Sequence, residues 1–164
     1  AYTISKTLVT AEHQVNVNVA SIARASIGFK DLSEQEFALL SREAKIKYHT
    51  DQAAATKEAQ KRWLINLDFA YWRKFNHLHG WMEHLYRSKG GTGDFNCNTV
   101  RLEPNNIDVL ESLAKLKALA PTAGFFFGGN EPFSDEDRDE VLEFINKCRT
   151  AFKENNAVFY DSWW

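Results

Sequence analysis

The feature that most constrains the fold of this chain is the stretch 62–86, with the sequence RWLINLDFAYWRKFNHLHGWMEHLY. Its apolar side chains recur every three or four residues, which is the spacing of one helical face sustained over about six turns. This spacing, to which Tyr71 belongs, predicts a long helix from Leu64 to Leu85 that no proline interrupts, with an apolar face towards the core. Gly80 is its one weak position, since glycine inside a helix costs about 1 kcal/mol relative to alanine. A glycine at such a position indicates close approach of another backbone or of a ligand. A preceding helix capped by Thr50 or Asp51 either continues into this long helix or is separated from it by a bend near Asn66.

The polar side of the same predicted helix carries the candidates for a ligand site. Cations, an amide and imidazoles lie there beside indole rings, and these groups suit a ligand with a base and a phosphate. The same groups are also typical of a second packing layer whose buried polar atoms are all hydrogen bonded. The candidate ligand-binding residues are Trp72, Arg73, Asn76, His77 and His79.

The sequence predicts no catalytic residue, no metal ligand and no cofactor. His79 and Glu83 have the spacing of two ligands on one helical face, but neither an HExxH motif nor a cysteine pair accompanies them. An imidazole beside Arg73 would stay neutral and suit a base. No nucleophile motif such as GxSxG appears, so the sequence favours a non-enzymatic protein while leaving an enzyme open.

Composition and cysteine usage indicate a globular protein of the reducing cytoplasm. The 164 residues include 44% hydrophobic and 26% charged residues, which are ordinary values for one domain with its own core. No apolar run approaches the roughly 18 residues that span a bilayer, and the first residues do not resemble a secretory signal. Cys97 and Cys148 do not have the spacing of a disulfide framework or a zinc site.

Charge is distributed unevenly along the chain. Residues 42–89 hold ten Lys and Arg against five Asp and Glu, whereas residues 90–164 hold seven against thirteen. Such an asymmetry is typical of attraction to charged partners, although two solvated faces have the same pattern. The densest acidic segment surrounds the start of the last predicted helix. Its candidate partner-binding residues are Glu131, Asp135, Glu136 and Asp137.

Local signals predict the remaining elements. Ser33 with Glu36 forms a capping box that opens a helix over 34–48, and Ser134 with Asp137 opens the last helix. A further helix runs from Pro104 towards Pro121. Alternating valines over 15–19 indicate a strand, and the residues that follow are compatible with a strand or a helix. Extended segments are predicted over 1–10, 98–102 and 157–164, and a buried strand or loop over the phenylalanine triplet 125–127.

These elements together predict a mainly α protein with a few short β segments. We expect residues 1–164 to form a single globular domain, a helical bundle around the long central helix.

The chain resembles a widespread family of small phage-encoded proteins in three motifs. They are a Tyr-Trp-Arg-Lys-x-Asn-x-x-His-x-Trp core over 71–81, a Gly-Phe-Phe-Phe-Gly segment over 124–128, and an aromatic end with Ser and Trp. The likeness covers 68–164 and leaves 1–67 as a divergent N-terminal part. Phe75 departs from the small residue expected at its position. The resemblance implies a phage or prophage product acting in the host bacterial cytoplasm.

Two functions follow from these observations. The first is a non-enzymatic phage accessory protein that binds and modulates or inhibits a host protein, in defence evasion or host takeover. The alternative is a protein that binds or processes a nucleotide on the face from Arg73 to His84. In both cases we expect no membrane association.

Overall fold

The computed structural model describes residues 1–122 and 131–162, which divide between two compact units. Unit 1 comprises Ala1–Val17 and Leu67–Trp164, and unit 2 comprises Asn18–Asn66. The prediction of a mainly helical chain with a few short strands is confirmed. The elements found in these ranges are β1 (Tyr2–Ser5), a 3-10 helix (Lys6–Leu8), α1 (Val19–Ser26), α2 (Glu34–Ala38), α3 (Arg42–Arg62), α4 (Asn76–Ser88), β2 (Thr99–Leu102), α5 (Pro104–Lys115), α6 (Asp135–Lys153) and β3 (Asn156–Asp161).

The sheet of unit 1 has β3 at its centre. β3 pairs antiparallel with β1 on one edge, where Tyr2 lies opposite Phe159, and with β2 on the other, where Val100 lies opposite Tyr160. Residues 157–160 of β3 are all buried. A strand paired along both edges satisfies its backbone donors and acceptors within the sheet, so it can be buried at low cost.

Three helices form the core of unit 1 together with this sheet. α6 packs against α5 and β3, and α4 packs against β2. α5 begins with a proline at its first turn, and Ser134 and Asp137 cap α6 reciprocally, as predicted. α5 ends at Lys115, before the predicted stop at Pro121. The largest side chains of the core with almost no exposure include Leu78, Met82, Tyr86, Phe95, Leu102, Ile107, Leu110, Phe144 and Ile145.

Unit 2 is built on α1 and α3, which pack against each other. Asn18 caps α1 by accepting from the backbone of Ser21 at 3.0 Å. The guanidinium of Arg24 is almost fully buried and donates to both carboxylate oxygens of Asp31, at 2.9 and 2.5 Å. A buried charge has to be paired, so this ion pair fixes the chain after α1.

The helix predicted over 34–48 is wrong as one element. The capping box of Ser33 and Glu36 is present, but the helix that it opens ends at Ala38. A second cap follows, because the side chain of Ser41 accepts from the backbone of Ala44 at 3.2 Å and opens α3. Serine competes with the helical backbone for hydrogen bonds, so it favours a new start over continuation. Leu39, between the two helices, is 87% exposed.

The helix predicted from Leu64 to Leu85 is wrong over its first half. α3 ends at Arg62 and α4 begins only at Asn76. Backbone bonds to the first residue replace helical ones, since the nitrogen of Ala1 donates to the carbonyl of Ala70 at 2.8 Å and Ala70 donates back at 3.4 Å. Tyr71, predicted to face the core, is 80% exposed. A helical bundle around a long central helix is therefore not confirmed.

The remaining predictions have mixed outcomes. The valines over 15–19 form no strand, because Val15 makes only an isolated bridge to Val100 and α1 begins at Val19. The first seventeen residues group with the second half of the chain, whereas the sequence assigned 1–67 to one divergent part of a single domain. That single domain stays a prediction. The phenylalanine triplet and the last two tryptophans lie outside the described residues.

Candidate functional site

Unit 1 contains a cavity of about 510 Å³ beside the centre of its sheet. It lies between the connecting segment 67–75, the first turn of α4 and the end of β3. The size falls within the range of about 300–1,000 Å³ that is usual for small-molecule sites. Its lining consists of Ala1, Leu67, Asp68, Ala70, Tyr71, Trp72, Arg73, Lys74, Phe75, Leu78, His79, Tyr160, Asp161 and Ser162.

The indole of Trp72 is held in place by the core. Its ring meets Phe144 edge-on, with centroids 4.8 Å apart and planes at 86°, and lies 6.4 Å from Tyr160. The indole N–H also donates a hydrogen bond to the carboxylate of Glu140, which acts to lower the pKa of that group. Burial and the nearby Asp137 and Glu143 outweigh this effect and raise the pKa of Glu140. Aromatic pairs prefer such edge-on contacts, which fix the ring's orientation. The cavity therefore has a pre-positioned aromatic wall.

A buried histidine–tyrosine pair forms the inner polar edge of the cavity. Nδ1 of His79 lies 3.1 Å from the hydroxyl of Tyr160, and either atom can donate. The imidazole stacks on Phe95 at 5.4 Å. Burial lowers the pKa of His79, against the opposing effect of Glu83, and raises the pKa of Tyr160. Both groups are therefore neutral at physiological pH, and the pair offers hydrogen bonds without charge.

Two adjacent cations lie on the cavity lining and are exposed to solvent. Arg73 and Lys74 occupy the end of the connecting segment, just before α4. Lys74 has a φ of 60°, in the left-handed region that non-glycine residues seldom adopt. This turn brings the chain from the connecting segment into the helix. An Arg and a Lys side by side are groups that recognise phosphate.

Three of the five predicted ligand residues line this cavity, namely Trp72, Arg73 and His79. The other two, Asn76 and His77, are buried in the first turn of α4 and do not line it. The imidazole of His77 packs edge-on against Phe133 at 5.3 Å. Within the part of the chain that the structure describes, its Nε2 meets no hydrogen-bond partner. His77 thus belongs to the core packing.

The four predicted partner-binding acids are only partly available to a partner. Asp135 forms ion pairs with Lys117, at 2.9 Å, and with Arg138. Its hydrogen bond with Lys117 lowers the pKa of Asp135. Asp137 accepts a hydrogen bond from the backbone of Ser134 at 2.9 Å within the capping box of α6. Glu131 and Glu136 are exposed.

Sequence reasoning missed the contribution of β3 to the site. Tyr160, Asp161 and Ser162 reach the cavity because β3 is the central strand of the sheet. The pair formed by His79 and Tyr160 joins residues separated by 81 positions. The aromatic end of the chain was the one signal available for these residues, and it does not specify a partner along the chain.

The close approach predicted at Gly80 is present, and a side chain makes it. A Cβ at this position would lie 1.7 Å from Oγ1 of Thr122, so a larger residue there would force Thr122 to move. Among residues 1–122 and 131–162, no group of three or more His, Cys, Asp or Glu is arranged to hold a metal ion. None of the helices in these ranges is long and apolar enough to cross a membrane. Comparison with protein-family models, curated proteins and solved structures finds no significant match.

Proposed function

We propose that the cavity of unit 1 binds a nucleotide. The observation that carries this proposal is the presence of two neighbouring cations and a fixed indole on one cavity lining. A nucleotide presents a planar base at one end and a phosphate at the other. The lining offers both matching chemistries within about 510 Å³.

The phosphate would bind to Arg73 and Lys74. A guanidinium presents a planar set of donors that matches phosphate oxygens in pairs, and an ammonium adds a compact charge. Both side chains are exposed, so an anionic group reaches them from solvent at little desolvation cost.

The base would stack on Trp72, with Tyr160 and His79 at its edge. Stacking of a base on an aromatic side chain contributes about 1–3 kcal/mol and tolerates any base, because every base has a π face. The contact of Trp72 with Phe144 holds the indole before the ligand arrives, which lowers the entropy cost of binding. The neutral His79–Tyr160 pair can hydrogen bond the polar edge of a base.

Calorimetric titration of the purified chain with nucleoside mono- and diphosphates and with cyclic nucleotides tests this proposal. We expect saturable binding of at least one of them, weakened about tenfold or more by Arg73→Gln, since charge-assisted hydrogen bonds are lost. The matched control is Arg42→Gln, an exposed arginine at the start of α3 that does not line the cavity. Absence of heat and of any thermal shift with every nucleotide at millimolar concentration would contradict the proposal.

A second candidate function is binding of a host protein by a phage accessory protein in the bacterial cytoplasm. The observation that favours it is the exposure of large apolar side chains in unit 2, namely Leu39, Ile46 and Leu64. Apolar side chains left in water are typical of interaction surfaces when they lie together. The resemblance to phage-encoded proteins supports a host target that is modulated or inhibited.

Affinity capture with matched variants tests this second candidate. Wild-type protein should retain a stoichiometric partner from bacterial lysate, and Ile46→Glu should lose it. Leu116→Glu is the control, because Leu116 is also apolar and exposed but belongs to unit 1. Equal capture by all three proteins, or by none, would refute a role for the apolar side chains of unit 2.

A further inference from the structure

Asp161 lies on the cavity lining. Its carboxylate has no role in the binding of the base or the phosphate proposed above. Asp161 is the last residue of β3 and follows Tyr160 directly. Its side chain is about half exposed, at 47%. The backbone of this position is fixed by pairing with Thr99 of β2. A group on a paired strand is held more accurately than one on a connecting segment.

The carboxylate of Asp161 keeps room to accept further hydrogen bonds. Its Oδ1 lies 3.5 Å from the nitrogen of Ala1, which makes its shorter contact, 2.8 Å, with the carbonyl of Ala70. A carboxylate has about four lone-pair sites on its two oxygens. The remaining sites can take hydroxyl donors from a ligand in the cavity.

The sugar is the part of a nucleotide left over once Arg73, Lys74 and Trp72 have taken the phosphate and the base. Its hydroxyls are hydrogen-bond donors, and a carboxylate cannot donate to them in return. The 2′-hydroxyl is the group that separates ribonucleotides from 2′-deoxyribonucleotides. A carboxylate that accepts from it would favour the ribose form.

We propose, on the basis of the nucleotide-binding function above, that Asp161 makes the cavity selective for ribonucleotides by accepting a hydrogen bond from the ribose 2′-hydroxyl. Asp161 is a specificity residue outside the motif over 71–81. The end of β3 thereby has a role at the cavity as well as in the sheet.

Calorimetric titration with AMP, GMP, CMP and UMP and with the matching 2′-deoxynucleoside monophosphates tests the inference. For the wild-type chain, we expect each bound ribonucleotide to bind about tenfold more tightly than its deoxy form, as for a hydrogen bond to a charged group. Asp161→Ala, which removes the acceptor oxygens, should bring that ratio close to one. The ratio is the readout because removal of a negative charge strengthens binding of both phosphates equally.

The control variant is Asp94→Ala, at an exposed aspartate of the same unit that does not line the cavity, and it should keep the wild-type ratio. Equal affinity for ribose and deoxyribose forms in the wild type would overturn the inference and leave nucleotide binding in place. A ratio unchanged in a folded Asp161→Ala, checked by its melting temperature, would overturn the role of Asp161. Absence of binding to every nucleotide would overturn the proposed function and this inference with it.

Discussion

The two units of this protein are stabilised in different ways. Unit 1 has an aromatic and aliphatic core in which residues such as Phe95, Phe144 and Phe159 are almost fully buried. Unit 2 buries little: α3, the longest helix found in the described residues, has Ala59 as its one buried residue. Unit 2 instead has a buried guanidinium, that of Arg24. Apolar burial stabilises without directional requirements, whereas buried polar groups stabilise only when every partner is in place.

The polar interior of unit 2 is a connected network. Arg24 donates to Asp31 and, at 3.1 Å, to the hydroxyl of Thr56. Gln52 donates to Asp31 and to the hydroxyl of Tyr48, each at 3.1 Å. That hydroxyl also accepts from the backbone of the chain between α1 and α2. Loss of one member leaves others unsatisfied, so unit 2 should respond more strongly to polar substitutions than to changes in apolar volume.

The largest expected effect is in the core of unit 1. Phe144→Ala removes the ring that contacts Phe69 at 6.2 Å and Trp72 at 4.8 Å. Truncation of a fully buried phenylalanine destabilises by about 3–5 kcal/mol, because transfer energy is lost and a cavity remains. Urea denaturation should show this loss, and amide hydrogen exchange should accelerate in residues 67–162.

Leu116→Ala is the control for this variant, since Leu116 is exposed and its loss should change stability by less than about 0.5 kcal/mol. Faster exchange throughout unit 2 in Phe144→Ala would show that the two units unfold together, and the contrast between them would then fail.

The next effect is in the network of unit 2. Arg24→Met keeps much of the side-chain volume but removes the donors to Asp31 and Thr56. We expect a loss of about 2 kcal/mol, as for hydrogen bonds to charged groups, with faster exchange confined to residues 18–66. Arg149→Met is the comparison, because Arg149 bridges Asp108 and Glu111 on the surface of unit 1 and surface pairs contribute at most about 1 kcal/mol.

Equal losses for Arg24→Met and Arg149→Met would mean that burial does not decide the contribution of these ion pairs. If amide hydrogen exchange in Arg24→Met accelerated in both units, the two units would not differ in how they are stabilised.

The smallest effect is a difference in pH response. Burial lowers the pKa of His79, so the unfolded chain binds a proton more tightly than unit 1 does. Stability from the neutral imidazole is complete above about pH 6.5 and declines as the pH falls towards the folded pKa. In unit 2, the hydrogen bond from Arg24 lowers the pKa of Asp31, so its contribution declines only below about pH 4.

Melting temperatures at pH 7.5, 5.5 and 3.5 separate these windows. Between pH 7.5 and 5.5, His79→Gln should lose less stability than the wild type, whereas Asp31→Asn should follow the wild type until pH 4. His84→Gln, at an exposed position of α4, serves as the control. If His79→Gln lost as much stability as the wild type between pH 7.5 and 5.5, the buried imidazole would be excluded as the cause of that loss.

Local signals in the sequence predicted much of the fold. The capping boxes at Ser33 and Ser134 and the proline at the start of α5 depend on residues within one turn, so they are visible in the sequence. The segment 64–75 was misjudged because the backbone of Ala70, within it, bonds to Ala1. The apolar spacing continues through this segment, but its long-range hydrogen bonds with Ala1 keep it from being helical.

The candidate site was predicted to a similar extent. Trp72, Arg73 and His79 were found because their chemistry is evident from residue type and neighbours. His77 was a candidate ligand residue with packing as the alternative, and the structure shows it packed against Phe133 and absent from the cavity lining, because this contact depends on how α4 packs. Asp161 was missed because a residue at the end of a predicted extended tail gives no indication that it belongs to a central strand.

The central position of β3 has a consequence for the order of synthesis. β1 leaves the ribosome early, but within the described residues its partner is β3, which follows α1 to α6 in the chain. Unit 2 is continuous in sequence, so all its contacts are available once residue 66 has emerged. Domains fold as units during translation. Unit 2 can therefore form on the ribosome, whereas the sheet of unit 1 and the cavity beside it form only after β3 has been made.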